Sequence, residues 1–496
     1  MKIAIIHGYL LSGTGSNIYV ANLVAGLVAR GHDVFLFCQE PQPKGFQFID
    51  ECYDFEADNR RFLPVFSRRG PGPGRARLFR PRIGDILPVY VLDEYHGFTA
   101  REFHRLPALE IENYVARNAQ AVKTVHEAFG LEVVQANHLI ASPAVARRAL
   151  EQAGVPYNVT VHGSALNYSV RRNSGLNHLA LYGLEKAASV SASSRFLGKQ
   201  LNDYLVSVGR PKVRVNIIYP GVELALFQPA DDRAKSVVGL TKQLETLRKI
   251  DWKDDRVVMF VGKYLAAKGL HASILAAPLV RARRTRARFL AIGLSDEREL
   301  YKALVAALAA GDGRLVCDLV REIEKADLPP VGRRYLANLK RRGKFADYLQ
   351  AAQAADLTGS FLFTGPLDHA ELAQLLPAAD LSVSPSIFPE AFGMVAVEAL
   401  AAGVWPIVTE DFGMAEIAKI CQAHFSGRFT PLPRLKLDGR FVNRLSETII
   451  AALAEPYLGS RRFKEQAHRL AMERFSWERV VEDYLKLFGR RRRGVA

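Results

Sequence analysis

The sequence predicts an α/β protein made of two successive parallel-sheet halves. Three observations predict it. Short apolar runs alternate with stretches whose apolar residues recur at helical spacing. The alternation restarts near the middle of the chain. The composition, 49% hydrophobic and 24% charged over 496 residues, suits a globular chain of two to four domains. A disordered chain would be poorer in apolar residues, and no apolar run of about 20 residues offers a membrane span.

Ile3–Ile6 is a short apolar run that breaks at His7-Gly8. It reads as a buried first strand rather than the h-region of a signal peptide. Residues 16–29 carry Val20, Leu23, Val24, Leu27 and Val28, a helical stripe closed by Gly31 as C-cap. Val34–Cys38 is the second strand, and Val133–Ala136, Tyr157–Val161, Val190–Ala192 and Val213–Ile218 follow as further strands. Tyr219-Pro220-Gly221-Val222 through Phe227-Gln228-Pro229 punctuates the chain and reads as the join. The rhythm then resumes: Val257–Val261 is a strand, 268–281 a helix, and Phe289–Ile292 a strand ending at Gly293. Ser360–Phe363, Leu381–Ser384 and Val404–Thr409 are strands, with helices at 368–378 and 393–402.

Two segments interrupt this order. Residues 67–82 hold six arginines, no acid and several Gly and Pro, and read as a loop. Residues 295–358 are Ala- and charge-rich and read as several helices between two strands, serving as a surface ornament, a subunit interface or an acceptor lid. The four cysteines, Cys38, Cys52, Cys317 and Cys421, show no C-x-x-C pair, which fits buried thiols in a reducing cytosol.

Ser12-Gly13-Thr14-Gly15-Ser16-Asn17 lies between the first strand and its helix. Glycines there let backbone N–H groups approach a phosphate at a helix N-terminus. A dinucleotide fingerprint needs a third glycine, but Ile18 stands in its place; Glu40 would be the ribose acid of that alternative. A nicotinamide oxidoreductase therefore stays open as a rival, as does a plain tight turn.

Ser384-Pro385-Ser386-Ile387-Phe388-Pro389-Glu390-Ala391-Phe392-Gly393-Met394-Val395-Ala396-Val397-Glu398 is far more specific. Two glutamates, separated by seven residues, straddle a strand–loop–helix junction. Gly393 sits where the helix begins, so the N–H groups of Phe392 to Val395 are offered to a ligand. Carboxylates suit sugar hydroxyls, because each oxygen accepts a hydrogen bond.

On these residues the chain resembles the retaining glycosyltransferases of the GT-B fold, family 4-like (group 1). That fold is two Rossmann-like domains facing each other across a cleft, here with a helical insertion, 295–358, in the second. The resemblance implies that Glu390 and the amides of Phe392, Gly393 and Met394 meet the transferred sugar, with Val395 beside them, and that Glu398 binds the ribose. Thr14-Gly15 matches the family's glycine pair at the diphosphate, with threonine replacing one glycine. Val159-Thr160-Val161-His162-Gly163 resembles the strand that ends in a sugar-facing histidine, His162. Phe260-Val261-Gly262-Lys263 and Lys268-Gly269 resemble the phosphate-binding strand and loop, with Lys263 where arginine is common. Two cations there would stabilise the leaving diphosphate. Phe363-Thr364-Gly365 resembles the base-binding loop, and Phe475-Ser476-Trp477 the start of a tail that crosses back to the first domain.

The resemblance thus implies an acceptor domain over 1–218 with tail 477–496, a linker over 219–229, and a nucleotide-sugar domain over 230–476. It implies catalytic roles for His162, Glu390 and Lys268, retention at the anomeric carbon, a UDP- or GDP-sugar donor, and no cofactor or metal beyond that donor. The net charge of +16 is larger than a diphosphate needs. Arg75, Arg77 and Arg80 are read either as meeting an anionic acceptor, a phosphorylated small molecule or lipid head group, or as plain solvated surface. Arg281–Arg288 is expected to be solvated surface, and Arg490–Arg493 to aid peripheral contact at the inner face of a membrane from the cytoplasm. A nucleic-acid partner is not expected, since no aromatic-interleaved basic motif is present.

Overall fold

The computed structural model describes residues 1–13, 15–91, 95, 97–325, 328–430, 432 and 434–489. Thr14 and Arg490–Arg493 lie outside the described residues. The chain divides into two compact units. Unit one is Met1–Gly221 with the C-terminal helix Trp477–Gly489; unit two is Val222–Ser476. Among the described residues no helix is long and apolar enough to cross a membrane.

Unit one holds β1 (Lys2–Ile6), β2 (Asp33–Phe37), β3 (Glu51–Phe55), β4 (Phe62–Ser67), β5 (Arg75–Arg80), β6 (Ile86–Val89), β7 (Thr99–Glu102), β8 (Val133–Asn137), β9 (Tyr157–Val161), β10 (Ser189–Ala192) and β11 (Val215–Ile217). β6 and β7 form a separate ribbon. The other nine lie in the order β11-β10-β9-β8-β1-β2-β5-β3-β4, parallel throughout except for antiparallel β3 and β4. β1, β8 and β9 are covered on both faces, so β1 reads as an apolar run without alternation, while Gln135, Asn137, Asn158 and Thr160 are buried polar residues within β8 and β9. From β1 the chain first builds outward through β2 and later returns to place β8 on the other side of β1. The topological switch point is therefore at the carboxyl ends of β1 and β8.

The segment 67–82 corrects the sequence expectation. Its second part is not a loop but β5, an interior strand between β2 and β3. Ala76 and Leu78 enter the core, while the alternating arginines meet acids supplied by neighbouring strands. Arg77 Nε donates to Glu51 at 3.0 Å, and Arg80 makes a two-point bond to Asp54 at 2.6 and 3.0 Å. Those acids lie 26 residues away, outside any local window.

The C-terminal helix packs on the helix Gly15–Ala29 and completes the unit-one core with Val480, Val481, Tyr484 and Phe488. The contact is close: a Cβ on Gly26 would stand 2.5 Å from Val481 Cγ2. Tyr19 Oη donates to Tyr484 Oη at 2.9 Å, and Tyr484 Oη lies 2.6 Å from Thr160 Oγ1 in β9.

Unit two holds β12 (Arg256–Val261), β13 (Ala287–Ile292), β14 (Phe361–Gly365), β15 (Leu381–Ser384) and β16 (Trp405–Val408), all parallel in the order β14-β13-β12-β15-β16. Its switch point lies between the carboxyl ends of β12 and β15. Between β13 and β14 stand the helices Arg298–Ala310, Gly313–Ile323, Val331–Arg341, Phe345–Ala354 and Leu357–Ser360. They pack along the helix Leu270–Arg281. Tyr348 Oη donates to Leu275 O at 2.9 Å and Arg281 Nε to Ala355 O at 2.8 Å. His271 Nε2 meets the fully buried Glu324 at 3.0 Å.

Those contacts correct the expectation for Arg281–Arg288. Arg281 is tied to the insertion, and its pKa is lowered, chiefly by burial. Arg286 and Arg288 pair with Asp255 at 3.5 and 2.9 Å.

Candidate active site

In unit two the residues following β12 and β15 flank the switch point. After β12 come Gly262, the exposed Lys263, and a 3-10 turn Ala266–Lys268 that ends at Gly269. Gly269 has φ +75°, and a Cβ there would stand 1.9 Å from Pro385 O. Only glycine lets the two loops touch. They are stitched further by Ile387 N–H donating to Ala267 O at 2.9 Å. The result brings Lys268 onto Glu390: Lys268 Nζ donates to Glu390 Oε1, across 122 residues of sequence. Ser386 Oγ lies 3.2 Å from the same oxygen. Both charged side chains keep partial solvent access.

Glu390 also holds the next turn, since its carbonyl accepts from Gly413 N–H at 2.9 Å. Gly393, at φ +109°, then starts the helix Met394–Ala401. The N–H groups of Met394 and Val395 precede the first full turn and face no intrahelical acceptor four residues back. The side chain of Phe392 is buried edge-on to Phe475, so only its backbone is available.

Glu398 lies one turn inside that helix and is 5% exposed. Burial first, and then the nearby Glu223, push its carboxyl up to about 7. His369 Nε2 stands 3.7 Å from Glu398 Oε1. Gly365 ends β14 with φ +89°, and its carbonyl accepts from Gly293 N–H at 3.0 Å. Beside it, Arg298 Nη2 reaches toward Phe363 O at 3.5 Å, and its Nε is buried without a partner among the described residues.

In unit one the switch point is lined by three histidines. His7 follows β1, His138 follows β8 and His162 follows β9. His138 stacks against His7 with ring centroids 5.7 Å apart and tilts on His162 at 4.8 Å. His7 Nε2 is 3.0 Å from Asn17 Oδ1, and His162 Nε2 is 3.3 Å from Asn137 Oδ1. Asn137 Nδ2 donates to Ile6 O, so its Oδ1 is the acceptor and His162 Nε2 carries the hydrogen. Burial pushes His7 down to about 4 and His162 down to about 3, and holds His138 well below the ordinary histidine range. All three rings are neutral at physiological pH. They offer lone pairs and N–H donors, not charge.

The sequence-derived residues fall as follows. Lys268 and Glu390 meet, and Met394, Val395 and Glu398 share the helix that Gly393 starts. Gly365 and Lys263 stand at carboxyl ends of the same sheet. Gly15 begins its helix in open space, with nothing within 4 Å of a would-be Cβ. Glu40 is 3% exposed and spends its oxygens on Leu11 and Gln42 N–H, each at 2.9 Å, so it is no ribose acid.

Arg75, Arg77 and Arg80 do not form one acceptor cluster. Arg75 pairs in register with Asp33, at the amino end of the sheet, about 17 Å of strand from the carboxyl end. Arg77 and Arg80 are held by Glu51 and Asp54. Sequence reasoning missed His7, His138, Ser386, His369 and Arg298. His7, His138 and Ser386 had only their position just past a strand as a local signal, and His369 and Arg298, each opening a helix, had none. Among the described residues no group of three or more His, Cys, Asp or Glu is placed to hold a metal ion.

Comparison with known proteins follows this division. Residues 14–221 match the model of the glycosyl transferase 4-like domain, and 340–427 that of the glycosyl transferases group 1. The D-inositol 3-phosphate glycosyltransferase of Acidothermus cellulolyticus is 25% identical over 489 residues, covering 96% of this chain and 85% of that one. Sucrose-phosphate synthase from Thermosynechococcus elongatus superposes with a TM-score of 0.58 at 19% identity, over 98% of both chains. The Anabaena protein HepE, crystallised with UDP and glucose, superposes with a TM-score of 0.57 at 16% identity, over 98% of both chains. These solved neighbours share the GT-B fold with this chain.

Proposed function

This chain belongs to the family 4-like, group 1 glycosyltransferases, and from that premise we propose that it moves a sugar from a UDP- or GDP-sugar to an acceptor hydroxyl with retention at the anomeric carbon. The carrying observation is the Lys268–Glu390 pair set beside the N-terminus of Met394–Ala401, with the buried Glu398 one turn further on. A diphosphate entering there meets an ammonium and open helix N–H groups, which favour the charge that grows on the leaving group. Glu390, released from Lys268, accepts hydrogen bonds from sugar hydroxyls. The ring of His162, in unit one, is neutral, which suits hydrogen bonding rather than charge stabilisation.

In this proposal Lys268, Lys263 and the helix N-terminus carry the work that a divalent ion does in other transferases, and no resident cofactor takes part. The leaving phosphate helps to take the acceptor's proton on the same face of the sugar. The bound UDP and glucose of HepE support a nucleotide-sugar donor. The names of the inositol phosphate and sucrose-phosphate relatives favour a phosphorylated acceptor. The test is a thermal-shift panel of UDP- and GDP-sugars. The true donor at about 100 times its Kd stabilises the fold by about 2.7 kcal/mol; no shift with any of them sinks the proposal.

Glu398 makes donor binding pH-dependent. Its folded pKa is raised to about 7, so the free protein holds a proton that a ribose diol, donating to the carboxylate, must displace. In the unliganded fold this group favours stability at low pH and loses that contribution as pH rises through about 7. Nucleotide-sugar affinity is expected to rise about tenfold between pH 6 and pH 8. Calorimetry on the wild type and Glu398→Gln checks this: the variant binds more weakly and with a flat profile. A flat wild-type profile would remove Glu398 from the ribose site.

A further inference from the structure

We propose that the outer edge of the unit-one sheet, β4 with an arginine pair at each end, docks on an anionic lipid surface. The segment reads Arg60-Arg61-Phe62-Leu63-Pro64-Val65-Phe66-Ser67-Arg68-Arg69. β4 is the last strand in the sheet order, so one of its edges has no strand beside it. Phe62 is turned inward onto Tyr53, Phe79 and Phe129, and Phe66 packs against the core. Leu63 and Val65 point out, 56% and 47% exposed. All four flanking arginines are exposed.

An apolar edge strand normally invites another strand. This edge is closed to one. Pro64, in mid-strand, has no N–H to give. The register against β3 passes from Phe66 opposite Cys52 to Pro64 opposite Tyr53, leaving Val65 unmatched as a bulge. Both devices block backbone pairing with a second copy, yet the apolar side chains stay outside. Their occupant must therefore accept side chains without accepting backbone.

A bilayer interface does so. Apolar side chains enter the boundary between head groups and acyl chains, while guanidinium forks bond phosphate oxygens. The charges are available for this. Asp58 takes the backbone N–H of Arg60, not its guanidinium. Among the described residues the Arg68 guanidinium bonds only the carbonyls of Ile49, Lys44 and Phe46, and no acid there pairs with it. The edge also lies four strand spacings from β1, about 19 Å, so it can be altered without touching the candidate site. The proposal does not rest on the glycosyltransferase reading.

The test is sedimentation of the full chain with vesicles of phosphatidylcholine, alone or mixed with phosphatidylglycerol. Binding is expected only to the mixed vesicles and is expected to weaken as salt rises. Leu63→Glu with Val65→Glu should abolish it. Arg60→Gln with Arg61→Gln should weaken it by tenfold or more, at roughly fivefold per cation. The arginine pair is exposed, so it decides the matter if the glutamate variant misfolds; the melting temperature of each variant reports that. Failure of the wild type to bind mixed vesicles overturns the proposal. So does binding that survives the Arg60/Arg61 change, or that is lost only on truncation after Gly489. A change in oligomeric state on Leu63→Glu, with vesicle binding intact, would assign the edge to protein contact instead and also overturns it.

Discussion

Glu390→Ala is expected to lower turnover by about 10²–10³, with a smaller change in the KM for the donor. The carboxylate has two jobs. In the free protein it holds Lys268, and under the proposed function it accepts from the sugar as the ring flattens toward the oxocarbenium state. Only the second job is specific to the transition state, so kcat carries the loss. Lys268→Ala is expected to cost a similar factor, with a larger share in KM, because the ammonium also binds the ground-state diphosphate. Glu390→Gln separates charge from shape: it still packs against Ser386 but no longer pairs with the lysine. Both side chains are partly exposed, at 22% and 38%, so the fold should survive each change. Steady-state kinetics with the donor identified by thermal shift provides the measurement. Near-normal turnover in both alanine variants would remove the pair from the reaction.

Tyr484→Ala is expected to destabilise unit one by about 3–5 kcal/mol, a large part of an ordinary domain's stability. The ring is fully buried between the helix Gly15–Ala29 and the sheet. Its hydroxyl links Tyr19 to Thr160, and Thr160 in turn stands 2.8 Å from Ser191 and accepts from Gln135 at 2.7 Å. Removing the ring leaves a cavity and strips partners from Tyr19 and Thr160. Tyr484→Phe keeps the volume and loses only the hydroxyl, so it should cost about 1–3 kcal/mol. Urea unfolding of the two variants against wild type checks both values. A loss under about 1 kcal/mol for Tyr484→Ala would mean that the C-terminal helix is only loosely attached.

The parts that were legible from the residues share one property: their signal is local. β1, β12 and β13 are apolar-rich runs bounded by Gly or polar residues, because both faces of a parallel sheet are covered. The element from Ser384 to Glu398 was legible because strand end, loop, glycine and helix lie within fifteen consecutive residues. β5 was not legible. Its arginines resemble a solvated loop until Glu51 and Asp54 are brought beside them from another strand. The arginines after the helix Leu270–Arg281 misled for the same reason: Asp255 and Ala355 meet them only in the fold.

The sequence by itself determined the α/β class, the restart that makes two sheets, and the placing of Glu390 and Glu398 on either side of a helix start, since each follows from neighbours along the chain. The tertiary structure decided which charges are spent and which are available. It bound Lys268 to Glu390, tied Arg77 and Arg80 to acids, buried Glu398 until its carboxyl titrates near 7, and held three histidines neutral at the unit-one switch point. Ionisation and pairing depend on distance and desolvation, and neither quantity exists until remote segments are packed together.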